Sequence, residues 1–266
     1  MVMGIAMNSK YAILVLSCDK YSSLWKPFFS QLRKYWPKSP YKLYLGSNTI
    51  SYRGDRRVKT ILSGRYKDWS SNVLSVLNQI PEEYIFVWLD DLFLTQKVQP
   101  VLFQKCFKFM EKENANHIHF APSTPPDGIS SNPLFGYHNK GAPYRVSAVG
   151  FWKRDHLKQL LLPGENPWQF EIFGSYRSGY FDGYFCLRRN LFKFIQIVER
   201  GKIFREAYDY CKKHDIELDV TDWQIHTRFH KIKSDILRYI FNRIIHIPWE
   251  VRLSIMDIFR KAFASY

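Results

Sequence analysis

The chain has 266 residues, enough for one large domain, or one domain with an appendage, around a substantial core. Hydrophobic residues at 46% and aromatics at 17% argue against disorder, and a net charge of +15 calls for an anionic partner: nucleic acid, acidic lipid headgroups or phosphorylated substrates. Cys18, Cys106, Cys186 and Cys211 form no CxxC pair, so there is no zinc site, no evident disulfide framework and an expected reducing compartment.

In chain order, Tyr11 to Ser17 reads as a first strand. Val15-Leu16-Ser17-Cys18 faintly resembles a lipoprotein cleavage site, but Lys10 interrupts the region before it and the apolar stretch is short for a signal core. No apolar run reaches the roughly 18 residues of a transmembrane helix, and the expected location is cytoplasmic. Leu24, Trp25, Phe28, Phe29 and Leu32 then recur at helical spacing until Pro37. Tyr41–Leu45 and Val58–Leu62 read as strands on either side of a basic loop, Arg53 to Arg57. Asp68 is placed to cap a helix that ends before Pro81.

Next comes Tyr84 to Thr95, YIFVWLDDLFLT, in which an apolar strand meets two adjacent carboxylates, Asp90 and Asp91. Such a run suits a strand buried on both faces of a parallel sheet. Ligands bind beyond the carboxyl ends of such strands, and paired carboxylates there suit a hard divalent cation that also holds phosphates. The bland alternative has Asp90 capping the next helix and Asp91 solvated. By strand alternation the two point to opposite faces unless the chain turns.

A helix over about Val98 to Lys112 and a strand Ile118–Phe120 follow, then a loop rich in Pro, Gly, Ser and Asn from Ala121 to Pro143. Tyr144–Val149 and Phe192–Val198 read as further strands, and Leu157 to Leu162 closes a short helix. The strand-helix rhythm predicts an α/β fold with a mostly parallel central sheet flanked by helices. Residues 1–230 read as one domain.

The stretches SCDKYSSLWKPFF, KDWSSNVLSVLNQIPEEYIFVWLDDLFL, YRVSAVGFWKRDHL and GENPWQFEIFGSYRS resemble bacterial glycosyltransferases of the A-type fold, of the kind that build capsule, O-antigen or related surface polysaccharides. The likeness spans roughly residues 11 to 205. It implies a Rossmann-like nucleotide-binding sheet and transfer of a sugar from a nucleotide-sugar donor to a glycan or lipid-linked acceptor. The family usually separates its two motif carboxylates by one residue, whereas Asp90 and Asp91 are adjacent. The resemblance implies that Asp91 ligates Mn2+ or Mg2+ and that Asp90 binds the ribose or orients a basic side chain. It also places Asp19 at the base or ribose.

Diphosphate departure needs positive charge, which a cation supplies as a Lewis acid and Arg53, Arg56, Arg57, Arg65 or Lys202 supplement; the bland reading of each arginine or lysine, a solvated surface charge, is the commoner one. Trp69 joins Arg65 as a candidate substrate contact. Asn166 and Pro167 suit a helix start, which puts Trp168 and Glu171 on one face. Their alternatives are a sugar platform with a general base or hydroxyl ligand, and a core tryptophan with a capping glutamate. Tyr144-Arg145-Val146-Ser147 and Trp152 are expected to line the same cleft, with strand packing as their alternative. His226 and His230, four apart on a possible helix, have a metal-binding spacing but no carboxylate motif beside them.

Residues 231–266 read as an amphipathic helical appendage, either packed on the catalytic domain or lying on the inner face of an anionic membrane. Two other classes compete with the transferase. One is a basic nucleic-acid-binding protein, against which the bases are dispersed and no recognisable module appears; the transferase reading expects no nucleic acid. The other is a metal-dependent phosphohydrolase built on Asp90 and Asp91, for which no second carboxylate cluster appears.

Overall fold

The computed structural model describes residues 10–121, 125–142, 145–199, 201–221 and 223–226, with isolated positions beyond. Its strands are β1 (Tyr11–Leu16), β2 (Lys42–Ser47), β3 (Val58–Leu62), β4 (Tyr84–Leu89), β5 (Leu92–Leu94), β6 (His117–His119), β7 (Gly128–Ile129), β8 (Phe135–Tyr137), β9 (Gly150–Lys153), β10 (Tyr184–Leu187), β11 (Phe194–Gln196), β12 (Val198–Glu199), β13 (Lys202–Ile203) and β14 (Gln224–Ile225). The helices are α1 (Ser22–Tyr35), α2 (Trp69–Leu77), α3 (Pro100–Lys112), α4 (Arg154–Leu160), α5 (Pro167–Arg177) and α6 (Arg205–Lys213).

Nine strands form the main sheet in the order β3-β2-β1-β4-β9-β6-β10-β8-β7. β1 to β4 are mutually parallel, and β9 enters antiparallel between β4 and β6. The α/β architecture expected from the strand-helix rhythm is therefore present. Alternation along the central strands divides the core. Ile13, Val15, Phe86 and Trp88 face a layer with α1 and α3, while Ala12, Leu14, Ile85 and Val87 face one with α2, α4 and α5. Both faces are covered, which is why β1 and β4 are apolar throughout.

Local sequence sets the helix starts. Asp68 caps α2 by accepting from the Ser71 amide at 2.8 Å, and Asn166 and Gln169 close a reciprocal capping box on α5. The expected strand Tyr144–Val149 falls partly outside the described residues, and Arg145 to Val149 is not a strand. Its amides are claimed by side chains instead: Val146 N by Ser175 Oγ, Ser147 N by His117 Nε2 and Ala148 N by Glu171 Oε1. The strand begins only at Gly150, whose φ of +148° brings it so near the Ile118 carbonyl that a Cβ would lie 2.5 Å away.

The stretch Phe192–Val198 splits between β11 and β12, which belong to separate small sheets. All four cysteines are free thiols. Among the described residues no helix is long and apolar enough to cross a membrane. The amphipathic appendage 231–266 and His230 lie outside the described stretches. His226 is not helical: it follows β14, and its amide donates to the Ile203 carbonyl.

Candidate active site

The strand through Tyr84 to Thr95 is two strands, and the carboxylates are the turn between them. β4 ends at Leu89 in the main sheet, and β5 begins at Leu92 in a separate ribbon with β11. Trp88 Nε1 donates to the Leu92 carbonyl at 3.0 Å, and Ile197 N donates to the Asp91 carbonyl at 2.8 Å, fixing the turn from both sides. The turn removes the strand alternation, so Asp90 and Asp91 line one cleft.

The two carboxylates have different neighbours. Asp90 is buried and accepts from the Ser17 hydroxyl, which in turn accepts from Trp25 Nε1 at 2.7 Å. Burial, and then the neighbouring Asp91 charge, push its pKa well above the ordinary value. Asp91 accepts a long 3.4 Å contact from Gln196 Nε2 at Oδ2, and its buried Oδ1 has no hydrogen-bond partner. Burial raises its pKa to about 7, with the Gln196 contact opposing. A buried carboxylate oxygen without a donor is costly unless a cation meets it.

The cleft has a volume of about 390 Å3 and sits at the carboxyl ends of β1, β2 and β4. Trp69 and Tyr66 form one lip and Trp168 with Glu171 another. The lips are tied together, because Ser70 N donates to the Glu165 carbonyl at 3.2 Å and Trp69 packs on Phe170 with ring centroids 5.3 Å apart. Trp168 is 50% exposed, so it is not a core tryptophan. Glu171 Oε1 accepts from Ser147 Oγ at 3.0 Å and Ala148 N at 2.9 Å. Burial nevertheless raises its pKa, so the carboxylate is a stronger base than a solvated one.

Asp90, Asp91, Trp69, Trp168 and Glu171 thus come together. Glu199 joins them from β12, and no lysine or arginine is among the described lining residues. Glu199 and Gln196 were missed from the sequence. They lie more than a hundred positions from the carboxylate turn, and only the β5–β11 pairing brings them there.

Other expected residues lie elsewhere. Asp19 does not line the cleft: its carboxylate accepts from the Asn48, Thr49 and Ile50 amides and from the Thr49 hydroxyl at 2.6 Å. Burial alone would raise its pKa, but those hydrogen bonds outweigh it and hold it below the usual range. It staples the loop after β2, with little capacity left for a nucleotide. Arg145 is 3% exposed and also off the cleft. It donates to the His138, Ser178 and Phe181 carbonyls and lies over the Tyr184 ring, so it is a structural staple. Trp152 is buried against His117 in the core.

Arg57 donates to the Pro37 carbonyl at 2.9 Å, away from the cleft. Arg53 and Arg56 are exposed and do not line it. Arg65 is exposed on the loop between the lining residues Ser63 and Tyr66, and Lys202 is exposed opposite Glu199 in the β12–β13 pair. Both stand at the margin.

The donor set fits a hard divalent cation held jointly with a substrate. Asp91 offers an unsatisfied oxygen, while no group of three or more acidic, histidine or cysteine side chains among the described residues could cage a metal unaided. Mg2+-type sites complete one or two carboxylates with substrate phosphates and water.

No protein-family model and no curated protein matches the sequence. Among solved structures, the chain is similar to a 1–349 fragment of TarS from S. aureus at 13% identity and a TM-score of 0.41, over 67% of this chain and 60% of that one. The same fragment has been crystallised with UDP-GlcNAc. A UDP-glucose pyrophosphorylase complexed with UDP-glucose matches at 10% identity and a TM-score of 0.47, over 71% of this chain and 92% of that one. An active-site mutant of LgtC matches at 9% identity and a TM-score of 0.39, over 75% and 77%. The chain therefore spans about three fifths of the TarS fragment, and likeness at these scores assigns no activity.

Proposed function

We propose that the chain is a glycosyltransferase that moves a sugar from a nucleotide-sugar donor to a glycan or lipid-linked acceptor in building bacterial surface polysaccharide. The observation that carries this reading is the partnerless Asp91 oxygen at the carboxyl end of β4, in one cleft with Glu171 and two aromatic lips. Asp91 would hold the cation, Mn2+ or Mg2+, which when bound would supply the positive charge that a departing diphosphate needs. Asp90, fixed by Ser17, sets the turn and faces the ribose side. Arg65 and Lys202 at the margin add phosphate contacts.

Trp168 and Tyr66 offer ring faces to sugars, and Trp69 packs the wall behind them. Glu171 takes the proton from the acceptor hydroxyl as its oxygen bonds to the anomeric carbon. The electron pair of the broken C–O bond goes to the diphosphate. Fixing Oε1 by Ser147 and Ala148 leaves Oε2 for that proton.

The test is thermal unfolding against a panel of nucleotide sugars, with and without Mn2+. A true donor at about 100 times its Kd adds about 2.7 kcal/mol to stability, and that gain should require the cation. Stabilisation by none of the panel, or release of phosphate from simple esters with no acceptor present, would overturn the reading in favour of a phosphohydrolase or a binding protein.

A further inference from the structure

The cleft leaves the excess positive charge unexplained, and a second concavity gathers five basic side chains. A groove of about 660 Å3 runs between α3 and the segments that follow β7 and β10. Lys105, Lys108 and Lys112, at spacings of three and four, line it from one face of α3, while Phe103, Phe107 and Met110 bury the other. Arg188 and Arg189 line it from the far side. Arg188 is anchored, donating from Nη1 to the Pro133 carbonyl at 2.9 Å and from its amide to the Leu134 carbonyl at 3.1 Å. No carboxylate lines the groove among the described residues, and Lys112 pairs outside it with Glu113 at 3.4 Å.

We propose that this groove seats the acidic headgroup of a phospholipid and docks the protein on an anionic bilayer. Its floor is apolar, made by Leu102, Phe109 and Leu134, and Val101 beside it is 64% exposed. Cations over an apolar floor match a phosphodiester attached to acyl chains. Single-stranded nucleic acid stacks its bases on open aromatic faces, and the groove has none among its described residues: Phe109 is buried and stacked on Phe135 at 3.8 Å. The placement is also directional. β10 runs the same way as β4, since β9 is antiparallel to both β4 and β6 and β10 is parallel to β6. Arg188 therefore follows β10 at its carboxyl end, the same end of the sheet that carries the Asp90–Asp91 turn on β4, three strands away, or roughly 14 Å at ~4.8 Å per strand. Docking there would present the cleft to a lipid-linked acceptor. That last consequence rests on the transferase reading; the docking does not.

Sedimentation of the full chain with phosphatidylglycerol-containing and pure phosphatidylcholine vesicles tests it. Binding should need phosphatidylglycerol and weaken at about 0.5 M salt. The variant Lys105→Glu/Lys108→Glu/Arg189→Glu should bind about 100-fold more weakly or worse, with its melting temperature and its response to nucleotide sugars unchanged. The Lys105→Gln/Lys108→Gln/Arg189→Gln variant repeats the measurement should the charge reversal unfold the chain. Wild-type binding to both variants would place the membrane contact elsewhere, such as in residues 231–266, and overturn the proposal. So would wild-type protein that ignores vesicles, or that binds RNA with the affinity expected for lipid.

Discussion

The two concavities divide the molecule's charge. The cleft gathers Asp90, Asp91, Glu171 and Glu199 at strand ends and a helix face, Asp90 buried and the other three half-buried. The groove gathers its bases on an exposed helix face and a loop, where each keeps its hydration. A buried carboxylate is driven to find a proton or a cation, whereas an exposed lysine waits for a counter-surface. The acidic site is therefore suited to chemistry and the basic one to placement. Mutations should separate the two, leaving one intact while removing the other.

The largest effect belongs to Asp91→Asn. It should abolish transfer, at least about 1,000-fold, along with cation-dependent nucleotide binding, yet leave vesicle sedimentation unchanged. Full wild-type turnover in excess EDTA would break the contrast, because the acids would then need no cation. Next is Glu171→Gln, which keeps size and hydrogen bonding but cannot take the proton, and should lower turnover by about 100-fold with donor binding retained. A rise in acceptor KM alone would make Glu171 a hydroxyl ligand instead, and a retained anomeric configuration would remove the need for this base.

The smallest effect is on stability. The folded pKa of Asp91, about 7, lies above its ordinary 3.8. The folded state thus binds the extra proton, and this group's contribution is favourable at low pH and lost as pH rises from about 4 to about 7. In metal-free buffer at pH 8, Asp91→Asn should therefore melt about 3 °C or more above wild type. The advantage should vanish near pH 4. A variant less stable than wild type at pH 8 in EDTA would show that the buried charge is compensated by other groups.

Much of the scaffold was legible because its signals are local. β1 to β4, the Asp68 and Asn166 caps, and the Trp168–Glu171 face follow from apolar runs, side-chain caps and helical spacing within a few residues. What was not legible depended on distant partners. Arg145 reads as a cleft residue until the His138, Ser178 and Phe181 carbonyls claim its guanidinium. Arg145 to Val149 has strand composition, but Glu171, Ser175 and His117 reach its amides first. Asp19 has a ligand's position by strand order and a staple's contacts in space.

The carboxylate turn also constrains how the gene can change. Its residues lie between two independent hydrogen-bond ladders, β4 on β1 and β9, and β5 on β11. Inserting a residue between Asp90 and Asp91, to give the spaced motif common in the resembled family, would slip β5 by one position against β11. It would also turn the buried side chains of Leu92 and Leu94 to the other face. The adjacent pair is thus locked by its frame, and a spaced version would have to arrive together with substitutions that return apolar residues to the inward positions of β5.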